Sequence, residues 1–163
     1  MDMNMLGNWI SGRTKSPFYA RKEFWIEKTL KSASASVCGL GQFLFSINGQ
    51  KVSDHELDPG WTNYDKKIQY VTFDVTKLLR PGKNVIGAEV GNGWFLKNDE
   101  HYTFSFPAFM PANPNPYAAF GKELVLAVKF VLKYVDGTQE IFYADESFQV
   151  KEHPVKMSNV YGS

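Results

Sequence analysis

Apolar and polar positions alternate with a period of two over much of the chain, and that spacing predicts strands rather than helices. From Phe18 to Ile26, aromatic, β-branched and charged residues mix without helical spacing. Residues 1–17 before it carry the breakers Gly7, Gly12 and Pro17 and read as an irregular lead-in, with Trp9 and Ile10 as an anchor into some surface. Ser32 to Ser36 is a small-residue run lacking the apolar stripe of a helix, and it reads as the run-up to a strand. That strand sets Phe43, Phe45 and Ile47 on one face and Leu44 and Ser46 on the other. Asn48-Gly49 then supplies the two positive backbone angles of a type I′ hairpin, and Gln50-Lys51-Val52 begins the return.

The loop Asp58 to Asp65 is stiffened at Pro59 and turns at Gly60. Ile68 to Val75 alternates again, followed by a short turn holding Val75, Leu78 and Leu79, with Asp74 as its cap and Pro81-Gly82 as its end. Asn84 to Val90 is the next strand. Residues 95–121 carry Pro107, Pro111, Pro114 and Pro116 among many rings without sustained periodicity. So much apolar area is expected to pack over the sheet or against a partner domain. The clearest strand has Leu124, Leu126, Val128, Phe130, Leu132 and Tyr134 on one face and Lys129 and Lys133 on the other. Asp136-Gly137 turns it, Gln139 to Tyr143 returns, and Ser147 to Lys151 is a last strand. Roughly eight strands and no convincing amphipathic helix predict an all-β fold, an antiparallel β-sandwich of jelly-roll type resembling galactose-binding domains. The sandwich is bounded at residues 18–155, with 156–163 as a tail beyond it.

Composition narrows the function. The 163 residues fit one domain. Eighteen Lys and Arg against 17 Asp and Glu leave a net charge of +1, which argues against a nucleic-acid binder held by phosphate neutralisation. No like-charge run marks a membrane patch, and no apolar run approaches a membrane span. The one cysteine, Cys38, precludes an internal disulfide framework and reads as a small buried strand residue. The N-terminus lacks the pattern of a secretion signal, which leans toward the cytoplasm, although a piece cut from a longer protein would start the same way.

Catalytic chemistry is hard to find. There is no glycine-rich phosphate cradle, no nucleophile elbow and no Cys/His metal cluster; His55, His101 and His153 are scattered. Glu56, Asp58, Asp65, Asp99 and Glu100 are loop carboxylates whose sequence spacing does not establish a hydrolytic pair. A binding site is easier to support. Asn63, Asp65, Asn92, Asn98, Asp99, Asn113 and Asn115 put oxygen donors in loops, with Trp61 and Trp94 nearby. Such oxygens suit Ca²⁺ and sugar hydroxyls, and an indole face can cover the apolar side of a sugar ring. The alternative is that Asn, Asp and Gly sit there for turn geometry alone.

Several of these features occur together and in order: the Gly39-Leu40-Gly41 strand, the Asn48-Gly49 turn, the Pro59-Gly60-Trp61-Thr62-Asn63-Tyr64 loop, the segment from Tyr70 through Asp74-Val75-Thr76 to Leu79, and the Gly91-Asn92-Gly93-Trp94 turn. In that combination the chain closely resembles the N-terminal β-sandwich domain of bacterial α-L-rhamnosidases, from about Trp9 onward. Arg21 to Phe24 is similar to the family's first core strand, and Ser158 to Gly162 to its exit toward the next domain. After Trp94 the chain departs from the common pattern, with Phe95-Leu96-Lys97-Asn98 and a proline-studded Pro111 to Tyr117.

The resemblance implies an accessory domain, since the family's acid and base lie in a later (α/α)₆ barrel. Its partner would be that downstream catalytic domain, and a rhamnose-containing glycan is the candidate ligand. If the Ca²⁺-dependent rhamnose binding of some relatives carries over, it points to the loops around Asn63, Asp65, Asn92, Trp94 and Asn113, with Asp65, Asn92 and Asn113 as candidate metal ligands. A freestanding lectin-like carbohydrate-binding module, or a sugar-binding sandwich domain of a β-galactosidase-like enzyme, is the alternative.

Overall fold

The computed structural model describes residues 6–14, 16–93, 95–96 and 121–155. Two five-stranded sheets face each other, and every strand pairing in them is antiparallel. The first sheet contains β1 (Trp9–Ser11), β3 (Leu30–Leu40), β6 (Val71–Asp74), β8 (Val125–Tyr134) and β9 (Gln139–Tyr143). The second runs β10 (Gln149–Glu152), β2 (Phe18–Ile26), β7 (Gly82–Gly91), β4 (Gln42–Ile47) and β5 (Gln50–Lys51), in that order. The chain passes repeatedly from one sheet to the other, which gives the predicted sandwich; no α-helix occurs among the described residues.

The core lies between the sheets and follows the period-two pattern. Phe18, Ala20, Phe24 and Ile26 of β2 point inward, as do Phe43, Phe45 and Ile47 of β4. From the opposite sheet come Leu126, Val128, Phe130, Leu132 and Tyr134. Phe130 stacks on Phe142 at 5.0 Å between centroids and lies 5.4 Å from Phe24, so rings from both sheets meet at the centre.

Three expectations are corrected. The serine-alanine run is no approach to a strand but the middle of β3: Ala33 and Ala35 are buried, while Ser32, Ser34 and Ser36 face outward. Ala35 sits in register between Phe130 of β8 and Phe73 of β6, so a small side chain there leaves room for two large neighbours. On the outer face the Ser36 and Thr72 hydroxyls share a 2.8 Å hydrogen bond.

The lead-in, expected to be irregular, contributes β1. This strand pairs with Val125–Ala127 along the edge of β8 whose other half is taken by β9. The strand expected over 68–75 shortens to β6, because Ile68 and Tyr70 leave the ladder and pack with Leu6, Cys38, Ala127, Trp9 and Leu40 into a second, smaller cluster. Cys38 is fully buried there, and its thiol donates to the Gln69 carbonyl at 3.0 Å. Burial pushes that thiol up to about 12, which suits a packing residue and disarms a nucleophile.

Asn48-Gly49 forms the expected tight turn, with φ of 51° and 80°. Its amide does more than turn the chain. The Asn48 Nδ2 donates to the Leu78 carbonyl and to Asn84 Oδ1, both at 2.9 Å, and its Oδ1 accepts the Val85 N–H at 3.0 Å. Asn84, with no exposed surface, also accepts the Arg80 N–H and donates to the carbonyls of Arg80 and Gly82. Two amides thus tie the β4–β5 turn, the 3-10 turn Thr76–Leu78 and the start of β7 together with their polar capacity met inside the protein.

Candidate functional site

At the other end of the sandwich, where β7 finishes, the loop 58–67 lies against the turn that follows Gly91. The Phe43 N–H donates to the Asp58 carbonyl at 2.7 Å and holds the loop's first residue to β4. Asn63 then nucleates a tight turn. Its Oδ1 accepts the Asp65 N–H at 3.2 Å, and its carbonyl accepts the N–H groups of Lys66 and Lys67 at 2.9 Å. The Thr62 hydroxyl closes the loop by donating to the Lys67 carbonyl. Between these polar residues Tyr64 is buried and meets Phe95 edge-on, 5.2 Å between centroids. That ring contact joins the two loops, and burial raises the Tyr64 phenol above its ordinary value.

Of the residues singled out in the sequence, Asn63 and Asp65 are exposed on this loop, beside Trp61 at 57% exposure. Asn92 belongs to the same corner but is buried, with 2% of its surface exposed, and its carbonyl accepts the Phe95 N–H. Trp94, Asn98, Asp99, Glu100, His101, Asn113 and Asn115 lie outside the described residues, as does nearly all of the proline-studded segment.

A Ca²⁺ cage needs six to eight oxygens around one point. Asn63 commits its side-chain oxygen to the loop's own turn, Asn92 is buried, and Asp65 is the one exposed carboxylate of the proposed set. Among the described residues no three His, Cys, Asp or Glu side chains gather as a metal site. Among the described residues the proposed set thus offers the ion one exposed carboxylate, Asn113 lies outside them, and no step is derived through the ion.

Among the described residues the other two candidate carboxylates are engaged locally. Glu56 pairs with Lys51 at 2.5 Å, and Asp58 with His55 Nδ1 at 3.1 Å. Two residues escaped notice as anything but strand or turn positions. Asn84 carried no signal beyond following Pro81-Gly82, where an asparagine ordinarily means a solvated turn. Trp25 alternates with the inward-facing Phe24 and Ile26, and that alternation was enough to place an indole on the outer surface, where it is 56% exposed.

Comparison with known proteins bears on the whole chain rather than on one loop. An α-L-rhamnosidase of Formosa agariphila is 36% identical over 144 residues, covering 88% of this chain and 14% of that protein. The solved α-L-rhamnosidase of Aspergillus terreus superposes over 94% of this chain and 17% of its own, with a TM-score of 0.76 and 29% identity. The Streptomyces avermitilis α-L-rhamnosidase, solved in complex with L-rhamnose, covers 88% of this chain and 13% of its own, with a TM-score of 0.72 and 27% identity. The chain thus spans about a seventh of the length of the curated relative. The family description Alpha-L-rhamnosidase N-terminal domain matches residues 28–163. With that match over most of its length, the chain belongs to the α-L-rhamnosidase N-terminal domain family.

Proposed function

We propose that this sandwich is a non-catalytic accessory domain of an α-L-rhamnosidase-like glycoside hydrolase, bracing a catalytic (α/α)₆ barrel in the same polypeptide. The observation that carries the reading is how the family's ordered motifs are used. Asn48 spends its amide on the fold, Phe73 and Val75 are core, Tyr64 and Phe95 join two loops, and Asn92 is buried. Residues so committed serve a scaffold better than they serve chemistry. The domain's partner is then the barrel, and the glycoside target is the barrel's substrate. Incubating the purified chain with an aryl α-L-rhamnoside is expected to release no phenol above background; turnover abolished by substitution of a residue in this chain would overturn the accessory reading.

The finer part of the reading is that the loop corner around Asn63, Asp65 and Asn92 also holds a terminal L-rhamnose. Exposed Trp61, Asn63 and Asp65 on one ordered loop support it, combining an indole face with hydroxyl-binding oxygens. Calorimetric titration with L-rhamnose, with and without a chelator, tests it. No heat at millimolar sugar would remove the sugar-holding role and leave the bracing role standing.

A further inference from the structure

A cleft of about 440 Å³ opens at the end of the sandwich remote from the loop corner. Here β2 has run beyond its pairing with β10, which stops at Arg21, and the β2–β3 turn faces the start of β9. Trp25 forms one wall. The buried ring of Tyr134, 5% exposed, lies at the base, and Glu27, Lys28, Gln139 and Glu140 line the rest. The β7 strand runs from Gly82, next to Lys83 opposite Trp25, to Gly91, beside the loop corner. At about 3.4 Å per residue the two places are roughly 30 Å apart.

Lys28, Tyr134 and Glu140 are held by bonds within the protein before any ligand arrives. Lys28 Nζ bonds Asp136 Oδ2 and Thr138 Oγ1, both at 2.9 Å, and stands 5.6 Å from the Tyr134 ring centroid. The Tyr134 hydroxyl donates to Glu140 Oε2 at 2.9 Å. Lys83 Nζ lies 5.8 Å from the Trp25 centroid and is anchored by Glu23 at 2.8 Å. The indole has an ammonium over one face yet is more than half exposed, an apolar surface beside carboxylate and amide oxygens.

An aromatic plate next to hydrogen-bond acceptors matches a molecule with a C–H face and a ring of hydroxyl donors. Charge selects further. Glu27 and Glu140 outnumber the one lining lysine, whose charge Asp136 already neutralises, so a phosphate, sulfate or uronate would be repelled. The volume is large enough for a monosaccharide ring. We propose that the Trp25–Tyr134 cleft is a binding subsite for a neutral, hydroxyl-rich saccharide, separate from the loop corner and able to bind whether or not that corner does. A chain with two such sites far apart would engage a polysaccharide at two points and gain avidity from modest affinities.

The test follows the Trp25 indole N–H resonance of the ¹⁵N-labelled chain during titration with methyl glycosides of neutral pyranoses, with D-glucuronate as the acidic control. A saturable shift of that resonance by at least one neutral glycoside is expected, and the same titration followed at the Glu140 backbone amide, which Trp25→Ala retains, is expected to show binding at least about fivefold weaker in that variant. Glu27→Gln, on an exposed turn, probes the same cleft away from the core and is expected to weaken binding about twofold or more, as loss of one hydrogen-bond acceptor does. No saturable shift at Trp25 with any neutral glycoside would overturn the proposal. So would affinity unchanged in both variants, or glucuronate binding as well as the neutral sugars. Because both readouts lie in the cleft itself, silence at the loop corner leaves the result interpretable.

Discussion

Asn48-Gly49 and Asn92-Gly93 are the same dipeptide at opposite ends of the second sheet, and the fold uses them differently. At the first, both residues take left-handed angles, the hairpin closes in two residues, and the asparagine amide ties three segments together. At the second, only the glycine has positive φ, at 50°, the asparagine is buried, and its carbonyl accepts the Phe95 N–H three residues on. The difference lies in what surrounds each turn. The first faces Asn84, an amide with complementary donors and acceptors, whereas the second is wedged against the start of β4, with Gln42 beside Gly93. An Asn-Gly pair specifies a change of direction; its neighbours decide whether the amide becomes a structural tie.

The sharpest way to break the contrast is to remove the partner that gives Asn48 its role. Asn84→Ala would leave the Asn48 amide, the Arg80 N–H and two carbonyls short of partners in a place with no exposed surface. A loss of about 2–4 kcal/mol is expected, at the upper range for orphaned buried groups. Urea unfolding with an unchanged m-value checks it. A loss below about 1 kcal/mol would mean that water takes over these bonds and that the first turn is no different from an ordinary one.

The two glycines offer a paired measurement of intermediate size. A Cβ on Gly49 would meet nothing within 4 Å, so Gly49→Ala bears only the cost of its backbone angle, about 1 kcal/mol. A Cβ on Gly93 would lie 2.7 Å from Gln42 Cγ and 3.2 Å from the Gln42 nitrogen. Gly93→Ala adds that crowding to the angle and is expected to cost about 2 kcal/mol. Thermal melting of the two variants side by side should rank them in this order. Equal shifts would show that β4 yields freely and that the second turn is as open as the first.

A smaller effect is expected in the loop corner. Asn63→Ala removes an exposed side-chain acceptor for the Asp65 N–H while the bonds from Lys66 and Lys67 to the Asn63 carbonyl persist. About 0.5 kcal/mol is the expected loss. If L-rhamnose does bind there, this substitution weakens it far more than it weakens folding, and that separation distinguishes a ligand contact from a turn residue.

What could be read from the residues divides along physical lines. The β2, β4, β7 and β8 strands were legible because large apolar and polar side chains alternate in them, and the Asn48 turn because two positive angles in succession leave few residue choices. The interior of β3 was not, since Ser32 to Ser36 alternate by a hydroxyl against a methyl and the difference in hydropathy is small. β1 is too short to carry a period and exists because half the edge of β8 is open to it. Ile68 and Tyr70 continue a strand pattern but are claimed by the cluster around Cys38. At the candidate site, the sequence brought Asn63, Asp65 and Asn92 forward for their oxygens; that the last of these is buried depends on contacts from distant strands. Trp25 shows the reverse case, a residue whose exposure follows from period two while its cleft follows from the β8–β9 turn across from it.

That β8–β9 turn provides the gentlest variation on the comparison. It is Asp136-Gly137, and Asp136→Asn makes its dipeptide match the other two. Asp136 Oδ1 accepts the Thr138 N–H at 2.9 Å and the Thr138 hydroxyl at 2.5 Å, and Lys28 lies at 2.9 Å; these contacts hold its carboxyl down to about 2, against an ordinary 3.8. A carboxyl with a lowered folded pKa adds stability that is fully present above its unfolded value and is lost as pH falls through the folded one. The contribution should therefore fade between about pH 4 and pH 2. An asparagine at 136 keeps an oxygen for Thr138 but loses the charge facing Lys28. Asp136→Asn is expected to melt slightly below the parent at pH 7, with the gap closing as the pH approaches 2. The effect stays small because the carboxylate is solvated and its ion pair exposed. Melting curves at pH 7, 4 and 2 check the sign: a gap that stays constant with pH would assign the turn's stability to its hydrogen bonds alone. In that case an Asn-Gly step could replace Asp-Gly here at no electrostatic cost, and Asn48 would remain distinctive for its buried partner rather than for its turn.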